Sequence, residues 1–149
     1  MMQFRGDREV PLSSAEVWQR VSDVRFLIEC VPDVESVTES EPDRAVCTIR
    51  PGLAFVRGTL ELTVQVAERI PQSSVRLLLH TKGIGSSSDV EATITLTPQE
   101  RGTHIHWLAE LKKLGGLLKA VPQGLIQAAA QKVIADVWSA VERQMRDQV

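Results

Sequence analysis

Cysteine is scarce in this chain of 149 residues: there are two, Cys30 and Cys47, too few and too widely spaced for a disulfide framework or a paired-cysteine metal motif. Buried free thiols are the expectation, with a single bridge between them as the alternative. No apolar run approaches the roughly 20 residues that a membrane-spanning helix needs. The opening Met1-Met2-Gln3-Phe4-Arg5-Gly6-Asp7 also lacks the apolar stretch of a secretion signal. A cytoplasmic, soluble chain is therefore expected. Positive charge is not in excess: 17 Lys and Arg stand against 19 Asp and Glu, for a net charge of −2. With no global positive field to gather phosphates, nucleic acid is disfavoured as a partner. Repeats, low-complexity tracts and long Gly/Pro linkers are missing too, and the length fits one domain over residues 1–149.

What is present is a hydrophobic period that changes along the chain. Phe4, Gly6, Arg8 and Val10 alternate with Gln3, Arg5, Asp7 and Glu9, an edge-strand pattern that Pro11 ends. Ser13 and Glu16 form an S-x-x-E capping box before a helix whose apolar face is Val17, Trp18 and Val21. Asp23 caps a second short helix carrying Phe26, Leu27 and Cys30, which Pro32 ends. Beyond Val34, turn residues at Pro42-Asp43, Pro51-Gly52, Pro71-Gln72, Gly83 to Ser88 and Glu100 to Gly102 separate five or six runs rich in Val, Leu, Ile and Thr. That spacing predicts an antiparallel meander. Ile126, Ala130, Val133, Ile134, Val137, Val141 and Met145 then recur at helical intervals, giving a long amphipathic helix from near Pro122. The order β-α-α-β(5–6)-α is an α+β arrangement in which the last helix covers one face of a curved sheet.

Strand parity separates charge from apolar surface. From Arg57 to Val66, one face carries Val56, Gly58, Leu60, Leu62, Val64 and Val66, and the other Arg57, Thr59, Glu61, Thr63 and Gln65. Val75, Leu77, Leu79 and Thr81 likewise oppose Arg76, His80 and Lys82, while Val90, Ala92, Ile94 and Leu96 oppose Asp89, Glu91, Thr93 and Thr95. Ile105, Trp107, Ala109 and Leu111 oppose His104, His106, Glu110 and Lys112. The inner face of these strands has no titratable group, so it lacks the acid-base pair that catalysis would use. Binding fits better, with a solid core as the plain alternative.

Three other features invite a functional reading. His104 and His106 share an outward face, and His80 is expected opposite Glu91, but no third ligand lies within reach, so neither a metal nor another cofactor is expected. Lys82 to Ser88 joins two strands, which makes it a flexible hairpin loop and not a phosphate cradle. Lys112-Lys113-Leu114-Gly115-Gly116-Leu117-Leu118-Lys119-Ala120-Val121 reads as the loop before the long helix. Were Leu117, Leu118 and Val121 exposed, they would bury area in lipid while Lys112, Lys113 and Lys119 each gained about 1 kcal/mol near anionic headgroups. Packing of those leucines beneath the helix is the alternative.

The sequence resembles the START-like (SRPBCC) superfamily of polyketide cyclases and lipid-transfer domains, and within it the branch of CoxG, a subunit of carbon monoxide dehydrogenase. The pieces that carry the likeness are Phe4-x-Gly6 with Glu9-Val10-Pro11, Glu16-Val17-Trp18, Ser22-Asp23, Leu27, Cys30-Val31-Pro32, Val56-Arg57-Gly58, Leu96-Thr97-Pro98, Gly102-Thr103, Trp107-x-Ala109, Gly115-Gly116 and Leu125-Ile126-x-Ala128-Ala129. It departs from the family at Pro32-Asp33, where Pro-Gly is usual, and in the altered glycine-rich stretch Gly83-Ile84-Gly85-Ser86-Ser87-Ser88.

The resemblance implies a helix-grip fold with a cavity between sheet and long helix that takes an apolar small molecule, a lipid or quinone. It also implies a role in attaching a molybdenum hydroxylase, an oxidoreductase complex, to the inner face of the cytoplasmic membrane. On this reading Leu60, Leu62, Leu77, Leu79, Ile94, Trp107 and Ala109 line the sheet side, Ala129 and Val133 line the helix side, and no residue is catalytic. Peripheral membrane contact would fall to Lys112, Lys113, Leu117, Leu118 and Lys119. The other reading is a cyclase or dehydratase acting on an aromatic substrate, for which Arg50 or Glu29 near the cavity mouth would have to serve.

Overall fold

The computed structural model describes residues 2–52, 58–83 and 85–147. Strand β1 spans Gln3–Val10, and two short helices follow, α1 over Ser14–Val21 and α2 over Val24–Glu29. The remaining strands are β2 (Val34–Ser40), β3 (Arg44–Ile49), β4 (Leu60–Ile70), β5 (Ser74–Gly83), β6 (Ser86–Gln99) and β7 (Gly102–Gly116), with helix α3 over Gln123–Arg146. Among the described residues the seven strands form one antiparallel sheet in the order β1-β7-β6-β5-β4-β3-β2. β1 is thus an edge strand, as its sequence predicts. β4 begins at Leu60; Val56 and Arg57, expected in the same strand, lie outside the described residues.

Local chemistry sets the helix starts. The Ser13 hydroxyl accepts the Glu16 N–H at 3.2 Å, and the Asp23 carboxylate accepts the Arg25 N–H at 2.9 Å, each satisfying a donor that the first turn leaves open. After α2, Asp33 takes φ 64°, a left-handed conformation that glycine adopts at no cost and that Asp tolerates better than most residues. The Pro32-Asp33 departure from the family pattern therefore sits where the backbone asks for glycine. Arg69 of β4 fastens the α1–α2 junction to the β2–β3 turn, donating to the carbonyls of Ser22 (2.8 Å) and Pro42 (3.1 Å) and pairing with Asp43.

The core divides in two. The larger cluster joins Val10, Val17, Val21, Val24 and Ile28 to the inner face of the sheet through Val64, Val75, Leu77, Ile94 and Ile105, and to the C-terminal half of α3 through Trp138, Val141 and Met145. The smaller one, Leu111, Leu118 and Ile126, pins the N-terminal end of α3 to the far end of β7. At the other end of α3, Arg146 donates to the Glu9 carbonyl at 3.1 Å, and the Arg8 guanidinium lies 3.7 Å from the Glu142 carboxylate. The helix therefore runs along the inner face and is seated at both ends.

Candidate functional site

Strand register orders the inner face into cross-strand rows. Cys47, Leu62, Thr81, Ser88 and Leu114 form one, and Ala45, Val64, Leu79, Val90 and Leu111 the next. Beyond these come Leu77, Ala92, Ala109 and Phe4, then Val75, Ile94, Trp107 and Gly6. The residues named are uncharged, as the period-two pattern predicts, but a bulge after Val66 sets Arg69 of β4 opposite Val75 at the end of the last row, where it pairs with Asp43. Gly6 is required in the last row, because a Cβ there would stand 2.7 Å from Cζ2 of the Trp107 indole lying over it. That indole stacks on Trp138 of α3, while its Nε1 is buried with no hydrogen-bond partner among the described residues.

Burial is uneven along these rows. Of the expected lining residues, Leu62, Leu77, Ile94 and Ala109 are buried, the first three inside the larger cluster. Leu60, Leu79, Val90, Ala92, Trp107 and Leu114 are only half-buried. On α3 the pattern matches: Ile126, Trp138, Val141 and Met145 are buried at the two ends. Ala129 and Ala130 are half-buried between them, Val133 is 36% exposed, and all three belong to neither cluster. Small side chains occur on both elements: Ala92 pairs with Ala109 on the sheet, and Ala129 and Ala130 are neighbours on the helix. Val90 and Ala92, half-buried on the same inner parity, are not among the expected lining residues.

The lysine-flanked segment is not a loop. Lys112 to Gly116 are the last residues of β7, and Leu117–Ala120 form one 3-10 turn. A β-bulge places Lys112 as an extra residue, since Val90 pairs with Leu111 and Asp89 with Lys113. Both lysines are consequently exposed, while Leu111 and Leu114 turn inward. Leu118 corrects the expectation of lipid contact: it is 7% exposed, packed with Leu111 and Ile126, because the 3-10 turn aims it beneath α3. Val121 is half-buried in the same place. Leu117 and Leu125 remain open, 66% and 53% exposed, beside the exposed Lys119. The Leu117 N–H donates to the Gly85 carbonyl at 2.6 Å, which brings the β5–β6 hairpin tip to this surface. Gly116, at φ 61°, permits the approach, because a Cβ would lie 2.0 Å from that same carbonyl oxygen. Ile84 of the hairpin lies outside the described residues.

The outer face carries the titratable groups. Asp7 of β1 holds both outward histidines of β7, its Oδ1 lying 3.0 Å from His106 Nδ1 and 2.8 Å from His104 Nε2. These bonds hold the Asp7 carboxyl below its usual range, and Asp7, followed by Glu9, raises His104. Sequence spacing carries no sign of Asp7, which reaches the histidines only through β1–β7 register. His80 stands opposite Asp89, 2.5 Å from its Oδ1, and not opposite Glu91, which pairs with Arg76 at 3.3 Å. The hairpin turn is shorter than the glycine-serine stretch suggests, so the register moves by two residues. Among the described residues no three His, Cys, Asp or Glu side chains are grouped to hold a metal ion. An open depression of about 480 Å³, lined by Thr48, Thr59, Glu61, Lys82 and Gly83, lies on this side too, on the parity opposite Leu62 and Thr81.

Neither residue named for cyclase chemistry has a catalytic setting. Arg50 is exposed and paired with Glu35 at 2.6 Å, and Glu29 is exposed at the end of α2. Both cysteines are free and buried; desolvation pushes the Cys30 thiol up to about 11 and also raises Cys47. Among the described residues no helix is long and apolar enough to cross a membrane.

The family model for CoxG, a carbon monoxide dehydrogenase subunit, matches residues 6–146. No curated protein matches the chain. Among solved structures, a conserved protein from Geobacillus kaustophilus superposes with a TM-score of 0.83 at 22% identity, over 97% of this chain and 95% of its own. A START superfamily protein from Mycobacterium smegmatis gives 0.67 at 11% identity over 99% of both chains, and a Thermus thermophilus protein 0.68 at 16% identity over 97% of both. These likenesses show the START-like helix-grip fold.

Proposed function

Because the chain belongs to the CoxG family of carbon monoxide dehydrogenase subunits, we propose that it is a non-catalytic binding domain for an apolar small molecule, a lipid or quinone, held between the sheet and α3. The observation that carries this reading is the division of the core. Where the two clusters part, Leu79, Val90, Ala92 and Trp107 of the inner face and Ala129 and Ala130 in the middle of α3 are half-buried, and the charged residues on this parity, Arg8 and Arg69, are engaged with Glu142 and Asp43. Apolar walls with small facing residues suit an apolar guest, whose burial contributes roughly 25 cal/mol per Å².

In this proposal the domain serves an oxidoreductase complex, a molybdenum hydroxylase, at the inner face of the cytoplasmic membrane. Contact with the bilayer is peripheral, through exposed Leu117 and Leu125 and the cations Lys112, Lys113 and Lys119. Native mass spectrometry of freshly purified protein tests the binding reading: a co-purifying lipid or quinone adduct, weakened by Trp107→Ala, is expected. Protein that is free of adduct and also fails to take up a neutral apolar dye would overturn it.

A further inference from the structure

The inner face is not uniformly apolar. Thr81 of β5 and Ser88 of β6 are direct cross-strand partners on the inner parity, and their hydroxyl oxygens are 2.5 Å apart. Both side chains are half-buried. Their row is otherwise Cys47, Leu62 and Leu114, and the next is Ala45, Val64, Leu79, Val90 and Leu111. The pair also sits on the seam between the two clusters, with Leu62 and Leu79 packed in the larger and Val90 and Leu114 in the smaller.

Hydrogen-bond capacity shows what the pair leaves over. Two hydroxyls bring two protons and four lone pairs. The bond between them uses one proton and one lone pair. Among the described residues neither hydroxyl has another partner, so one O–H donor remains to be satisfied at an accessible point of the seam. Charge is distant: among the described residues of these strands, the charged ones on this parity, Arg8 and Arg69, lie toward the other end of the sheet, beside Glu142 and Asp43. An ion placed here would lose its hydration with no counter-charge, whereas a neutral oxygen acceptor would complete the pair.

We propose that the Thr81–Ser88 hydroxyl pair is the polar anchor of the cleft, selecting an uncharged apolar molecule that carries a hydrogen-bond-accepting oxygen such as a ketone or quinone carbonyl. The inference rests on the cleft reading above and narrows its ligand. The hydrocarbon part lies along Leu79, Val90 and Ala92 toward Trp107, and the carbonyl oxygen accepts the spare hydroxyl proton.

The test compares 2-tridecanone with tridecane as competitors for N-phenyl-1-naphthylamine bound to the full chain, in the wild type and in Thr81→Val/Ser88→Ala. The double variant is expected to weaken the ketone about tenfold while changing the alkane by less than about twofold, since only the ketone loses a hydrogen bond. Should the double variant fail to fold, Ser88→Ala alone is read the same way. Equal change in both competitors, or no change in either, overturns the anchor while leaving the cleft standing. Failure of the dye and both competitors to bind the wild type overturns the cleft, and the anchor with it.

Discussion

Trp107 on β7 and Trp138 on α3 stack with ring centroids 5.9 Å apart and planes inclined by 19°. Trp138 is buried in the larger core cluster and Trp107 packs against it, so the pair fastens the helix to the sheet. Trp138→Ala should cost about 3–5 kcal/mol through the cavity it leaves. Gly6→Ala should cost about 1–3 kcal/mol, because its new methyl collides with the Trp107 ring. Urea denaturation measures both. A Gly6→Ala protein as stable as the wild type would contradict this packing.

The Asp7–His104–His106 cluster makes stability depend on pH in two directions. His104 is raised above 6.5 in the folded chain, so its contribution is complete below pH 6.5 and is lost as pH rises through the folded value. Asp7 is lowered below 3.8, so its contribution is present above pH 3.8 and is lost as pH falls through the folded value. The cluster thus stabilises most between about pH 4 and 6.5. Melting temperature across pH should show a decline on the alkaline side that Asp7→Asn flattens, and NMR titration should place His104 above 6.5 in the wild type alone.

Buried thiols with raised pKa values should be inert. At pH 8 both Cys30 and Cys47 hold their protons, and the thiolate is the reactive form. Ellman's reagent should therefore modify the native chain only as fast as it unfolds, and denaturant should release two reactive thiols. Rapid modification of one thiol in folded protein would show that the helix α2 and strand β3 region opens locally.

Membrane contact, if it uses the surface around the 3-10 turn, should depend on charge and on apolar area together. Replacing Lys112, Lys113 and Lys119 with Glu should abolish co-sedimentation with anionic vesicles, and Leu117→Ser should weaken it by several-fold. Leu118→Ser should instead destabilise the fold, since that side chain is buried with Ile126. Sedimentation unaffected by all three lysine changes would remove this surface from the proposal.

Much of this was legible in residue order. Period-two alternation in β4 to β7 requires that Leu62, Val64, Leu77 and Ile94 face away from Glu61, Arg76 and Glu91, because successive side chains on a strand point to opposite faces. Capping residues Ser13 and Asp23 and the helical spacing from Ile126 to Met145 likewise act over a few positions. The apolar rows of the inner face and a covering helix follow from such local rules alone, whereas the bulge that brings Arg69 opposite Val75 does not.

What only the tertiary structure decided depends on groups far apart in sequence. The bulge at Lys112, the meeting of Asp7 with His104 and His106, and the pairing of Thr81 with Ser88 are matters of register between strands, which no short-range pattern encodes. Leu118 is buried and Leu117 exposed though they are neighbours of the same kind, because a single 3-10 turn aims one beneath α3 and the other outward. The parting of the core into two clusters is of the same origin: the fold packs Trp138, Val141 and Met145 of α3 into one cluster and Ile126 into the other, with Ala129, Ala130 and Val133 in neither, because packing joins residues remote in the chain.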